Sequence, residues 1–425
     1  MWVFVVCGAE EHIQTLNFSL RALKRHTKMP IRVVTDLSRN GGVAIEHDDV
    51  VDAPIDPRYN HHQASILLKT GLHRYVDLSP GKRYVYLDTD VVAVRPGVDE
   101  LFDRFVPPIL FCTDHCRMRQ FSPTAVRGAE HDQALSLQKR VMALMAEAEE
   151  KSGPLEHRLR LKGILHEWEQ LRKQRAADWA WRRYVGLGRP AWLRPLTKAY
   201  YLLRGYRVCH EPNGDWYACK APPAADFFAA NGYRYETGTQ RYFDAAGQMV
   251  WDTALIRQTV EAHTEVRWDA RRDCWAAPDG RNVLGVVESD TLRQRIAEKF
   301  GVHVAEPNWQ HWNGGVFVFG AESADFLDTW HAYTRAIFDD PAWKTRDQGT
   351  LIASVWAHGL ENQPVMPLAF NFLADYHHPT MRHLGNLRFS LRPGGPVVEP
   401  KLLHVYHHWG DPQWDVWRAV EKGIV

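Results

Sequence analysis

Apolar and polar positions alternate along the first hundred residues in two rhythms. Val3-Phe4-Val5-Val6 and Ile31-Arg32-Val33-Val34-Thr35 are short, nearly unbroken apolar runs, the texture of strands covered on both faces. Between them Ile13, Leu16, Leu20 and Leu23 recur at helical spacing, which predicts an amphipathic helix over 12–26. A second such helix is predicted over 63–76, and strands over 84–92 and 107–113. Strand and helix in alternation predict an α/β fold with a mostly parallel sheet. In such sheets ligands bind beyond the carboxyl ends of the strands. Cys7-Gly8-Ala9, Asp36 and Asp88-Thr89-Asp90 all stand at predicted strand ends.

The texture changes after residue 113. Residues 129–183 read as two helices broken at Ser152-Gly153-Pro154, with Leu161, Ile164, Leu165, Trp168 and Leu171 as an apolar stripe on the second. From Trp179 to His210 there is no Asp or Glu, while Arg182, Arg183, Arg189, Arg194, Lys198, Arg204 and Arg207 stand among Trp, Tyr and Leu. That mixture suits the surface of an anionic membrane or an anionic acceptor; a solvated basic face supported by buried aromatics is the other reading. Residues 233–252 and 266–283 predict β-hairpins, with turns at Asp244-Ala245-Ala246-Gly247 and Pro278-Asp279-Gly280. Residues 284–287 are expected to return to the main sheet, and a helix follows over 290–300. Two glycines then open an apolar strand at Asn313-Gly314-Gly315-Val316, where a backbone or ligand must come close. A helix over 323–337, another starting near Asp347-Gln348 and a strand over 401–406 complete the pattern. The expected division is 1–113, an insertion over 114–283 with helices and β-hairpins, and 284–425.

Size and composition narrow this picture. At 425 residues the chain exceeds the roughly 250–300 residues of a single core, which agrees with a large insertion. A net charge of +1 gives no global pull toward nucleic acid. No GxGxxG follows the first strand and no Walker loop occurs, which argues against a dinucleotide dehydrogenase and a P-loop enzyme. The six cysteines are too few and scattered for a disulfide framework, so a reduced, cytoplasmic-type protein is expected. Cys112 and Cys116 flank His115, but no second Cys pair or spaced His pair completes a zinc clip. No run approaches the roughly 20 apolar residues of a membrane helix. The apolar N-terminus is too short for a signal segment.

Asp88 and Asp90 stand out against their apolar strand. Two apart on a strand, they would point to one side. Neighbouring carboxylates repel and are costly to bury. A divalent cation resolves that conflict, and hard oxygen ligands suit Mn²⁺ or Mg²⁺. A solvated, Asp-rich strand end is the alternative.

Taken in order, these motifs resemble a GT-A glycosyltransferase, closest to the retaining glycosyltransferase family 8 that includes glycogenin and bacterial lipopolysaccharide galactosyltransferases. Val5-Val6-Cys7-Gly8 through Ser19-Leu20-Arg21-Ala22-Leu23 resembles the family's first strand and helix. Lys69 stands where the family tends to carry a basic residue, and Leu87-Asp88-Thr89-Asp90 is similar to its metal motif. Asn313-Gly314-Gly315-Val316 resembles its Asn-Ser/Ala-Gly-Val strand, Asp347-Gln348 its Asp-Gln pair and Asn371-Phe372 the turn that follows. The terminal histidines resemble its His-x-x-Gly element. The resemblance covers residues 1–113 and 284–415.

It implies a Rossmann-like GT-A fold. It also implies transfer of a hexose from a nucleotide sugar, UDP-Gal or UDP-Glc, to a hydroxyl of a glycan or glycolipid, with Mn²⁺ or Mg²⁺ and retained configuration. Asp88 and Asp90 would touch the cation and the nucleotide. The third ligand would be His404, which follows the apolar Lys-Leu-Leu, or His407, which has the His-x-x-Gly spacing to Gly410. Cys7, Gly8 and Ala9 would hold base and ribose, with Asp36 on the nucleotide side and His12 stacked on uracil. Lys69 would serve the diphosphate, and Asn313 and Gly314 would contact the donor sugar. Asp347 would bond sugar hydroxyls, and Gln348 would lie near the anomeric carbon. Gln348 is a poor nucleophile, so front-face attack is expected, with a covalent route through Asp347 as the alternative.

Two departures matter. The family often carries Lys three residues after the terminal glycine, where this chain has Gln413, and residues 91–312 make a far longer spacer than usual. That insertion is expected to build the acceptor region, and the basic stretch to touch the inner face of a membrane. A sugar-nucleotide pyrophosphorylase shares such a sheet but carries a basic Gly-rich loop where Cys7-Gly8-Ala9-Glu10-Glu11 is acidic. A non-catalytic carbohydrate-binding protein is the remaining alternative.

Overall fold

The structure, a computed structural model, describes residues 1–168, 194–204, 206–210, 216–219, 224–236, 239–269, 272, 274–344, 347–375, 381–391 and 395–424. They form two compact units, residues 1–132 with 287–425, and residues 133–286.

The first unit is a mixed α/β structure around a six-stranded, largely parallel sheet. Its strands are β1 (Trp2–Val6), β2 (Ile31–Thr35), β3 (Val50–Asp52), β4 (Arg83–Leu87), β6 (Leu110–Thr113) and β7 (Trp312–Gly320), in the order β3-β2-β1-β4-β7-β6. β1, β2, β3 and β4 pair in parallel, while β7 runs antiparallel between β4 and β6. The apolar runs are explained by burial on both faces. Val3, Val5, Tyr84, Tyr86, Phe317 and Phe319 enter one core cluster, while Trp2, Phe4, Val6, Val85, Leu87, Val316 and Val318 enter another. Helix α1 (Glu10–Lys24) lays Ile13, Leu16, Leu20 and Leu23 into the second cluster. Helices α3 (Ala324–Ile337) and α4 (Gln348–Ala357) cover the first with Phe326, Trp330, Leu351 and Ile352. Helix α2 (His61–Thr70) belongs to that face through Ala64 and Leu68.

A three-stranded sheet adjoins this core. β5 (Val91–Ala93) pairs antiparallel with β9 (Leu402–His404), which pairs in parallel with β8 (Phe372–Leu373).

Several local expectations are corrected. The strand expected over 84–92 is two strands, because Asp88-Thr89-Asp90 makes a tight turn that sends the chain from one sheet into the other. The helix expected over 63–76 starts earlier, capped by Asn60 and Gln63, and ends at Gly71 before a short 3-10 turn. Residues 284–287 form a loop and join no sheet. Val50–Asp52, a three-residue edge strand in acidic surroundings, carries too short an apolar pattern to read.

In the second unit, residues 133–152 and 155–168 are helical. Arg234–Glu236, Arg241–Phe243 and Met249–Asp252 form an antiparallel meander that turns at Asp244–Gly247. Arg267–Asp269 pairs with Cys274–Ala276, and the Pro278-Asp279-Gly280 turn then folds residues 281–283 back on 275–277. Residues 179–193 of the basic aromatic stretch lie outside the described residues; Arg194–Leu203 is a helix. Among the described residues no helix is long and apolar enough to cross a membrane.

Candidate metal and nucleotide-sugar site

The site is built on the turn that leaves β4. Its backbone is clamped from three sides. The Asp88 N–H donates to the Gly315 carbonyl (2.8 Å), the Thr89 carbonyl accepts from Ser19 Oγ (2.6 Å), and the Asp90 carbonyl accepts from the Val405 N–H (3.0 Å). Strand alternation therefore does not bring the two carboxylates together; a turn held by α1, β7 and the segment after β9 does.

β9 supplies the third group. His404 pairs in register with Val91, the residue after Asp90. Ligand atoms of Asp88, Asp90 and His404 lie within 4.8 Å of one another. His404 is buried, and its Nδ1–H donates to Asn371 Oδ1 at 2.9 Å. Its Nε2 lies 3.3 Å from Asp90 Oδ1, yet among the described residues neither buried atom has a hydrogen-bond partner. Such orphaned polar atoms are costly. Two carboxylates and an imidazole, oriented by an amide on its far nitrogen, fit Mn²⁺ or Mg²⁺. His407 does not join this cluster; it is exposed, and its backbone N–H donates to Asp375.

Electrostatics agree with a site that prefers added positive charge. Burial raises the Asp88 carboxyl above its ordinary range, with Lys69 opposing and Asp90 adding to the shift. Burial disfavours a charged His404 ring, but Asp90 and Asp88 together hold its pKa above the usual value. Lys69, on α2 and buried, bridges Asp88 Oδ1 (3.1 Å) and Asp347 Oδ2 (3.0 Å). Burial works against its charge, and Asp347 and Asp88 more than offset this, keeping its pKa above normal. The Tyr86 hydroxyl donates to Asp88 at 2.5 Å.

The glycine-opened strand explains itself here. A Cβ on Gly315 would stand 2.8 Å from His404 Nδ1 and nearer still to Cε1, so only glycine lets β7 pass the imidazole. Gln348 Oε1 accepts from the Gly314 N–H at 3.2 Å, and Gln348 Nε2 donates to the Trp312 carbonyl. Asn313 Oδ1 accepts from the Gly315 N–H (2.8 Å) and Asn371 Nδ2 (2.8 Å). Its Nδ2 donates to Asp114 Oδ2 (2.8 Å) and Tyr406 Oη (2.8 Å). Asn313 thus serves as a hub for the site's own framework.

The remaining candidates flank this cluster. β1 neighbours β4, so Cys7-Gly8-Ala9 emerges at the same end of the sheet as Asp88. Gly8 has φ +115°, and a Cβ there would lie 2.9 Å from His61 Cβ. Burial pushes the Cys7 thiol up to about 11. Ala9 and His12 are exposed at the start of α1. Asp36 is differently placed: its oxygens accept from Ser38 N–H and Oγ, the Ile55 N–H and Arg39 Nε, which ties the loop after β2 together. Tyr86, Asp114 and Tyr406 were not anticipated; the one available signal was Tyr86 standing two residues before Asp88 on an apolar strand.

No family model matches the chain, and no curated protein matches it. Among solved structures it is similar to WbbM, a bifunctional glycosyltransferase in its apo form, over 100% of this chain and 49% of that one, at 11% identity and TM-score 0.39. It is also similar to the glycosyltransferase GlyE of Streptococcus pneumoniae TIGR4, over 26% of this chain and 29% of that one, at 15% identity and TM-score 0.19. The chain thus spans about half the length of the first of these structures. Likenesses this distant carry no argument about activity; the local geometry has to.

Proposed function

We propose that the chain is a metal-dependent glycosyltransferase that moves a hexose from a nucleotide sugar to a hydroxyl of a glycan or glycolipid. One observation carries this reading: Asp90 Oδ1 and His404 Nε2, buried beside Asp88 and 3.3 Å apart, have no hydrogen-bond partner among the described residues. Asp88, Asp90 and His404 would hold Mn²⁺ or Mg²⁺. Such a cation, when bound, offsets the charge that gathers on a departing diphosphate. The Gly8 turn and exposed His12 lie at the same end of the sheet, which supports a nucleoside there, with UDP expected from the resemblance. Asp36, committed to its own loop, has no part in this reading.

The Gln348 amide is engaged by Gly314 and Trp312, and the Asp347 carboxylate by Lys69. Neither is a free nucleophile, which supports front-face attack. The acceptor oxygen bonds to the anomeric carbon on the face that the diphosphate oxygen leaves. The acceptor proton passes to the departing phosphate, and configuration is retained. Asp347 would bond sugar hydroxyls, and Lys69, which bridges Asp347 and Asp88, would serve the diphosphate in place of the position held by Gln413. UDP-Gal and UDP-Glc, screened with other nucleotide sugars and Mn²⁺, should yield nucleoside diphosphate from at least one, and NMR of the product should show the donor's anomeric configuration. Failure to bind or cleave any of them would contradict the assignment.

We also infer peripheral contact with anionic membrane through 179–210. Leu196, Tyr200 and Leu203 are exposed at helical spacing along Arg194–Leu203, which supports it. Equal co-sedimentation with anionic and zwitterionic vesicles would count against it.

A further inference from the structure

We propose that Asp114, His115, Cys116 and His311 form a second metal site, chemically distinct from the Asp88/Asp90/His404 cluster and suited to Zn²⁺. This inference does not depend on the proposed transfer reaction. Strands β6 and β7 are antiparallel, with Thr113 opposite Trp312, so the residues just beyond their ends meet. The Asp114 N–H donates to the His311 carbonyl at 2.9 Å, fixing that junction. Ligand atoms of Asp114, His115 and Cys116 lie within 4.8 Å of one another, and His311 Nε2 lies against two of them. Asp114 Oδ1 lies 2.9 Å from His115 Nδ1, 3.5 Å from Cys116 Sγ and 3.9 Å from His311 Nε2. Cys116 Sγ lies 3.6 Å from His311 Nε2. A tetrahedral zinc with ordinary bond lengths spaces its ligand atoms about 3.4–3.6 Å apart. The Asp114–Cys116 and Cys116–His311 separations fall at that spacing, and the Asp114–His115 and Asp114–His311 separations bracket it.

The surroundings also fit. His311 is fully buried, and its Nδ1 lies 3.2 Å from the Trp312 carbonyl and 3.1 Å from Gln348 Nε2, which leaves Nε2 as the ring atom that faces Asp114 and Cys116. Asp114 Oδ2 accepts from Asn313 Nδ2, while Oδ1, which also accepts from the Cys116 N–H at 3.3 Å, faces the cluster. Thiolate and imidazole donors favour zinc over the hard cations that suit Asp88 and Asp90. Binding would take the proton from the Cys116 thiol to solvent and leave two anionic ligands against a dication. Cys112, the partner that sequence spacing offered, points into an apolar core cluster; the fold supplies Asp114 and His311 instead. The site would anchor Asn313, which bonds Asn371 and through it His404, so its residues are positioning residues for the first cluster.

Cobalt tests this on the full chain, stripped with chelator and titrated with Co²⁺. A thiolate-to-cobalt charge-transfer band is expected, displaced by Zn²⁺. It should survive the Asp88→Asn/Asp90→Asn double variant and vanish in Cys116→Ser. Because the oxygen-rich cluster has no sulfur, loss of transferase activity in the double variant with the band retained separates the two sites. No band in the folded chain, or a band that persists in Cys116→Ser, overturns the proposal. Should Cys116→Ser fail to fold, the exposed His115→Ala should weaken cobalt binding at least about 10-fold, and unchanged affinity would overturn it equally.

Discussion

Gly315→Ala is the most informative single change in the first cluster. The added methyl would sit 2.8 Å from His404 Nδ1, closer to Cε1, and 2.9 Å from Asn313 Oδ1. Carbon atoms pack comfortably at about 3.5–4.0 Å, so imidazole or strand must give by roughly an ångström. The strand is pinned by the Asp88 N–H to Gly315 carbonyl bond, which leaves the ring to move. A shift that large exceeds the ~0.2 Å tolerance of a metal–ligand bond. Overpacking should cost about 1–3 kcal/mol of stability, and Mn²⁺ affinity should fall about 10–100-fold, the penalty typical of a disturbed ligand orientation. Gly314→Ala is the matched control, since its methyl would meet Gln348 Oε1, Lys69 Nζ and Trp330 at 3.4–3.6 Å, ordinary contact distances. Free Mn²⁺ followed by electron paramagnetic resonance during titration reads the affinity directly, and urea unfolding reads stability. Wild-type Mn²⁺ affinity in folded Gly315→Ala, or equal losses in both variants, would refute the reasoning.

Two further predictions concern stability. Lys69→Met leaves Asp88 and Asp347 sharing a partly buried site without their cation. It should cost about 2–4 kcal/mol, somewhat below the usual penalty for breaking a buried pair because both carboxylates retain some solvent. Mn²⁺ should recover part of that loss, and unfolding midpoints indifferent to both the substitution and Mn²⁺ would exclude the bridging role. His331, on α3 with Nδ1 2.9 Å from Thr70 Oγ1, has its pKa lowered to about 4 by burial and by Arg74, Arg335 and His73, with Asp328 opposing. The native ring stays neutral while the unfolded one takes up a proton below about 6.5, so stability is complete above that pH and falls toward pH 4. About 2 kcal/mol should be lost by pH 5. Urea titrations of His331→Gln should show a flatter acid limb than wild type, and parallel limbs would contradict the assignment.

The sheet was legible because β1, β2, β4 and β7 are buried on both faces and therefore spelled in Val, Ile, Phe, Tyr and Leu. β3 was not, since three residues at a sheet edge carry no periodicity. The Asp88-Thr89-Asp90 turn was misread as strand because the apolar run resumes at Val91, and nothing local shows that Val91–Ala93 belongs to another sheet. The sequence favours His404, which follows the apolar Lys-Leu-Leu, with His407 as the alternative, and the register of β9 against β5 sets His404 opposite Val91, the residue after Asp90. Asp36 shows the opposite case. A strand-end carboxylate looked available for a ligand, yet Arg39 and the Ile55 N–H, brought near by the loop's fold, use it.

Donor turnover is expected to need a cation held by Asp88, Asp90 and His404. Nucleoside diphosphate release from the preferred nucleotide sugar, measured for chelator-treated wild type and for Asp90→Asn across a Mn²⁺ titration, addresses that directly. The expected result is activity restored by Mn²⁺ in wild type and near-background release in a folded Asp90→Asn at every concentration. Equal turnover without added metal, or an Asp90→Asn titration curve that overlays wild type, would contradict the account.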